Sequence, residues 1–79
     1  MPRWTVYSRP GCSLCEVFVA DLAEILSPAQ AASVEIIDIT DDPELEARYS
    51  AKIPVLTADG DFLCCYHLDR ARVQAYLGD

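Results

Sequence analysis

The chain has 79 residues, 52% hydrophobic and 24% charged, which is enough apolar content for one small packed domain and too much for a disordered segment. Thirteen acidic against six basic side chains give a formal charge of −7, which repels phosphate backbones and anionic membrane surfaces. No apolar run approaches the roughly 18 residues that a membrane helix needs, so neither nucleic acid nor membrane is expected as a partner.

Residues 1–79 are read as one domain without repeats or linkers. Met1 to Trp4 carry no signal-peptide core, so the expected compartment is the cytosol, where thiols stay reduced. Arg3 to Tyr7 is β-favouring and reads as a strand; Ser8-Arg9-Pro10-Gly11 is a loop. From Cys12 to Leu26 the residues Cys15, Phe18, Leu22, Ile25 and Leu26 recur at spacings of three and four, the pattern of an amphipathic helix. Ser27-Pro28 ends it, because the residue before proline avoids helical dihedrals. Val34 to Ile39 reads as a second strand.

Asp42 caps a short helix with Pro43 in its first position, where the missing N–H costs nothing. Pro54 to Thr57 and Phe62 to Tyr66 read as strands joined by an Asp59-Gly60 turn. Asp69 caps a last helix that stops at Leu77-Gly78, with Leu68 and Val73 placed as a hydrophobic staple. The order is β-α-β-α-β-β-α. A helix-linked parallel pair plus a hairpin gives a mixed four-stranded α/β sheet with helices on both faces.

Four cysteines in a reducing compartment point to redox chemistry or metal binding before a disulfide framework. Cys12 and Cys15 stand at a helix start, where positions i and i+3 lie about 5 Å apart by Cα. That separation suits a disulfide. The loop it closes is too short to stabilise the fold much, so the bond reads as reactive rather than structural. Free N–H groups and the dipole of a first helical turn favour thiolate. Cys12, nearest the loop, is assigned as nucleophile; Cys15, inward beside Phe18, as resolving thiol. Arg9 adds positive charge next to them.

The run Tyr7-Ser8-Arg9-Pro10-Gly11-Cys12-Ser13-Leu14-Cys15-Glu16 resembles the active-site segment of glutaredoxins. Ile53-Pro54-Val55-Leu56 resembles the cis-proline loop of the thioredoxin superfamily. More narrowly, the chain is similar to small bacterial glutaredoxin-like proteins of uncharacterised function. The resemblance implies a thioredoxin-like, glutaredoxin-like fold and thiol–disulfide oxidoreductase activity. It also implies a cis Ile53–Pro54 bond beside the cysteines. The backbone of Ile53 is then a site where an extended substrate chain can pair, as in strand addition.

Ser13-Leu14 replaces the usual residues between the cysteines, and Cys65-Tyr66-His67-Leu68-Asp69 stands where glutaredoxins carry a glutathione-binding glycine pair. Weak glutathione affinity is therefore expected, with preference for a protein disulfide or small thiol and an unidentified reductant. The protein is read as a monomer whose only redox group is the Cys12–Cys15 pair, with no metal. The alternative reading is a non-enzymatic binding module for a partner protein or for an iron–sulfur cluster held through Cys12.

Cys64 and Cys65 are adjacent, so they point to opposite faces of a strand and read as packing residues. His67 reads as solvent-facing or capping, and Trp4, Tyr7 and Phe18 as core. Asp38 is a candidate buried proton acceptor, although Ile37 and Ile39 beside it leave its direction open.

Overall fold

The computed structural model describes residues 2–78; Met1 and Asp79, the ends of the expected domain, lie outside the described residues. Four strands, β1 (Trp4–Ser8), β2 (Glu35–Asp38), β3 (Val55–Ala58) and β4 (Asp61–Cys65), form one mixed sheet in the order β2-β1-β3-β4. β1 runs parallel to β2 and antiparallel to β3, and β3 pairs antiparallel with β4. Helices α1 (Ser13–Ile25), α2 (Pro28–Ala32), α3 (Pro43–Tyr49) and α4 (Arg70–Leu77) connect and cover it.

Strand alternation divides the side chains between two layers. Trp4 and Val6 of β1, with Leu56 and Ala58 of β3, join Phe18, Leu22 and Leu26 from the α1 segment and Val73 from α4 in one buried cluster. Tyr7, offset by one residue, turns to the opposite face and stacks on Tyr49 of α3 at 4.6 Å. Tyr7 is thus half-buried outside the main cluster, a correction to its expected core position. In β4 a register shift leaves Leu63 as an extra residue between the pairs Leu56–Cys64 and Thr57–Phe62. The bulge lets both Leu63 and Cys64 face the cluster.

The Asp59-Gly60 turn has positive φ at both residues, the conformation that a two-residue hairpin demands. Asp59 does more than turn the chain: its carboxylate accepts from the Arg3 backbone N–H and the Tyr76 hydroxyl, each at 2.9 Å. One side chain therefore ties the start of β1, the hairpin and α4 together.

The expected strands and helices shift by a residue at several ends, and two differences are structural. α1 ends at Ile25 with Leu26 as its cap, and Ser27, expected as its stop, caps α2. Its hydroxyl accepts from Gln30 N–H while the Gln30 amide oxygen accepts from Ser27 N–H, a complete capping box. The second strand stops at Asp38, whose carboxylate accepts from the backbone and hydroxyl of Thr40 and opens a 3-10 turn over Ile39–Asp41. Ile39 is fully buried from that turn, not from the strand.

Candidate active site

The loop after β1 sets the cysteines at the end of α1. Gly11 takes φ +73°, a backbone state that side chains rarely adopt, and delivers Cys12 in extended conformation as the helix cap. The Cys12 sulfur accepts from Cys15 N–H at 3.1 Å, in the position where a capping oxygen usually stands. Cys12 and Cys15 are joined in a disulfide with their Cα atoms 5.2 Å apart. Cys12 is half-buried, whereas Cys15 is only 5% exposed. An accessible first sulfur and a sheltered second one are what sequential attack and resolution require.

Arg9 lies beside the pair and is not a free charge. Its Nη2 donates to Glu46 of α3 at 3.3 Å and to the Ser50 carbonyl at 3.4 Å. The guanidinium thereby fastens the active-site loop to the end of α3, and Glu46 offsets part of its charge. Asp38 is corrected from buried acceptor to exposed cap. Hydrogen bonds from Thr40, with a smaller contribution from Arg9, hold its carboxyl below the ordinary range.

The Ile53–Pro54 peptide bond is cis. The pairing of Tyr7 with Val55 carries Pro54 to the end of β1 beside Ser8, on the same edge of the sheet as the cysteine loop. Pro54 is buried and Ile53 half-buried. Tyr66 crosses this loop: its N–H donates to the Pro54 carbonyl at 3.0 Å and its hydroxyl donates to the Ala51 carbonyl. It does so with φ +66°, unusual for a tyrosine, while its side chain stays 45% exposed. Tyr66 is expected as the last residue of a strand; β4 instead stops at Cys65, and the left-handed backbone of Tyr66 has no local signal in the sequence.

Cys64 is buried in the main cluster, and burial pushes its thiol above the ordinary range. Cys65, paired with Val55, faces the other side and is half-buried. His67 is exposed and donates its backbone N–H to the Cys65 carbonyl. Among the described residues no group of three or more His, Cys, Asp and Glu side chains is arranged to hold a metal ion. No helix among them is long and apolar enough to cross a membrane.

A groove of about 450 Å³ opens at the disulfide. Arg9, Cys12, Cys15 and Glu16 line it together with Val19, Ala20 and Ile36. Ile53 and Pro54 do not line it. The groove leaves no local mark in the sequence, because it joins α1 to an outer strand that is distant in the chain.

The fold has counterparts among known proteins. A solution NMR structure of a Nitrosomonas europaea protein superposes with a TM-score of 0.81 at 35% identity, covering 95% of this chain and 89% of that one. Oxidised glutaredoxin 2 from Chlamydomonas reinhardtii shares the fold, with a TM-score of 0.59 at 18% identity over 98% of this chain and 74% of that one. An uncharacterised protein of Mycobacterium tuberculosis is 27% identical over 78 residues, which is 94% of this chain and 80% of the relative. The family model described as glutaredoxin-like domain (DUF836) matches residues 3–78, nearly the full length and both cysteines, and the chain therefore belongs to the glutaredoxin-like domain family.

Proposed function

We propose that this protein is a thiol–disulfide oxidoreductase acting on protein disulfides, with Cys12 as nucleophile and Cys15 as resolving thiol. The observation that carries the reading is the disulfide at the N-terminus of α1, with one half-exposed and one buried cysteine. In the dithiol form the Cys12 thiolate attacks one sulfur of a substrate disulfide. The Cys12–substrate bond forms, the substrate S–S bond breaks, and the other substrate sulfur leaves with the electron pair and takes up a proton. Cys15 then loses its proton and attacks the Cys12 sulfur. This closes Cys12–Cys15 and releases the second substrate thiol. The substrate gains two electrons and two protons, and an external thiol reductant restores the enzyme.

The free N–H groups and dipole at the start of α1 support the thiolate at Cys12. Arg9 supplies positive potential moderated by Glu46. Ile53, next to Pro54, is the backbone position we assign to pairing with an extended substrate chain. The glycines that would let glutathione approach closely are replaced by Cys65 and Tyr66, and the charge of −7 opposes a net anionic tripeptide. Weak glutathione binding belongs to this reading, as do a monomeric state and a reducing compartment such as the cytosol.

Turnover tests it. With dithiothreitol as reductant, the wild-type protein should accelerate reduction of a disulfide-bonded protein substrate. Cys12→Ser should abolish the acceleration, and Cys15→Ser should accumulate a mixed disulfide on Cys12. No acceleration over dithiothreitol alone, with no trapped adduct, refutes the enzymatic reading.

A further inference from the structure

The groove beside the disulfide has an apolar floor that no packed layer covers. Ile36 is paired with Val6 across β1 and β2, so the two side chains point to the same face of the sheet. Val6 is fully buried in the main cluster, yet Ile36 remains 54% exposed. The cause is topological. β2 is an outer strand, and the buried face of α1, through Phe18 and Leu22, packs over the strands further in. Between α1 and the outer strand a trough remains, lined by the apolar Ile36, Val19 and Ala20 together with Cys12 and Cys15.

A single exposed isoleucine carries no message. Here it shares one groove with a reactive disulfide, and the volume lies within the range of side-chain and ligand sites.

The electrostatics narrow the occupant. Among the described residues Arg9 is the one cation lining the groove, and Glu46 and the Ser50 carbonyl already engage it. Glu16 lines the same groove, is exposed, and makes no ion pair among the described residues. The groove thus offers an apolar floor and an unmet negative charge. Glutathione, anionic and without an apolar side chain, matches neither.

We infer that the groove is a side-chain subsite for the substrate. Its occupant is an extended segment of a partner protein that carries one apolar and one basic residue close to the reactive cysteine. The apolar residue sits on Ile36, Val19 and Ala20, and the basic residue faces Glu16. This inference rests on the disulfide-exchange reading and adds sequence preference to it.

The test uses full-length Cys15→Ser protein and short peptides, each with one cysteine disulfide-linked to 5-thio-2-nitrobenzoate. The Cys12 sulfur bonds to the peptide sulfur, the peptide–thionitrobenzoate bond breaks, and the coloured thiolate leaves with the electron pair. Absorbance gives the rate, and mass spectrometry confirms the peptide on Cys12. A peptide with leucine and lysine flanking the cysteine should react about tenfold faster than one with serine in place of leucine. At low salt it should react about two- to fivefold faster than one with glutamate in place of lysine.

Ile36→Asp should remove the leucine preference, and Glu16→Lys should reverse the charge preference. Both positions are exposed, and circular dichroism checks the fold of each variant. Amide shifts in the trapped wild-type-groove adduct should include Val19, Ala20 and Ile36, which decides the matter if a variant does not fold. Equal rates for all peptides, preferences that survive both substitutions, or shifts confined to Ile53 and the residues flanking Pro54 would overturn the subsite and leave the exchange reaction standing. Failure of every peptide to react would remove the exchange reaction and the subsite together.

Discussion

Opening the Cys12–Cys15 bond should leave the protein folded but measurably less stable. The bond spans a separation of three residues, so it closes a four-residue loop. In the chain-entropy description such a loop contributes about 6 cal/mol/K, or about 1.9 kcal/mol at 25 °C. Unfolding a chain of this length releases about 170 cal/mol/K near the midpoint, so reduction should lower Tm by about 11 °C. Nothing in the packing around the pair adds a large second effect. Cys15 stays on the buried side of α1 as a small residue, and the Cys12 sulfur still faces the Cys15 N–H as helix cap. The assay is a pair of far-UV circular dichroism melts, oxidised and with a non-thiol phosphine reductant, with Cys12→Ser and Cys15→Ser under both conditions. Loss of folding on reduction, or a fall beyond about 25 °C, would mark the bond as a structural staple and refute the reasoning.

Among the four thiols of the reduced protein, iodoacetamide should label Cys12 first near neutral pH, because it is half-exposed at a helix N-terminus. Cys64 should label more slowly than Cys65, since burial raises its pKa; peptide mapping over time gives the order, and early labelling of Cys15 or Cys64 contradicts it. Phe18→Ala should cost about 3–5 kcal/mol, most of what a domain of this size possesses, and should lose its far-UV signal well below the wild-type Tm. The Arg3 N–H and then the Tyr76 hydroxyl hold the Asp59 carboxyl below the ordinary range. Its stabilisation is therefore present above about pH 4 and lost as pH falls through the lowered value. Tyr76→Phe should lower Tm by a few degrees at neutral pH and flatten the acid limb of a Tm-against-pH series; an unchanged limb would dissociate Asp59 from that stability.

Local chemistry made much of this legible from sequence. Asp42 and Asp69 are caps because a short carboxylate reaches free N–H groups, and Pro43 fits a first helical position for the same local reason. Asp59-Gly60 specifies its own turn, and the spacing of Cys12 and Cys15 specifies the disulfide separation. Helix α2 has a local mark, since Ser27 and Gln30 have capping-box spacing, but the proline between them reads equally as the stop of α1. Features made by distant residues leave no such mark. The Arg9–Glu46 pair joins positions 37 apart, and the groove arises only when α1 settles beside β2. The bulge at Leu63 lets two adjacent apolar residues, Leu63 and Cys64, both face inward, which alternation within β4 alone does not allow.

The central claim is that Cys12 and Cys15 form a reversible redox pair. Equilibration of the full chain across a graded dithiothreitol series, followed by acid quench, alkylation and mass spectrometry of the peptides, tests it most directly. The account predicts a single two-electron transition that maps to the Cys12–Cys15 peptide, with a midpoint between about −120 and −270 mV, while Cys64 and Cys65 stay reduced throughout. A pair that stays oxidised or stays reduced across that range, or a transition that maps to Cys64 or Cys65, would contradict it.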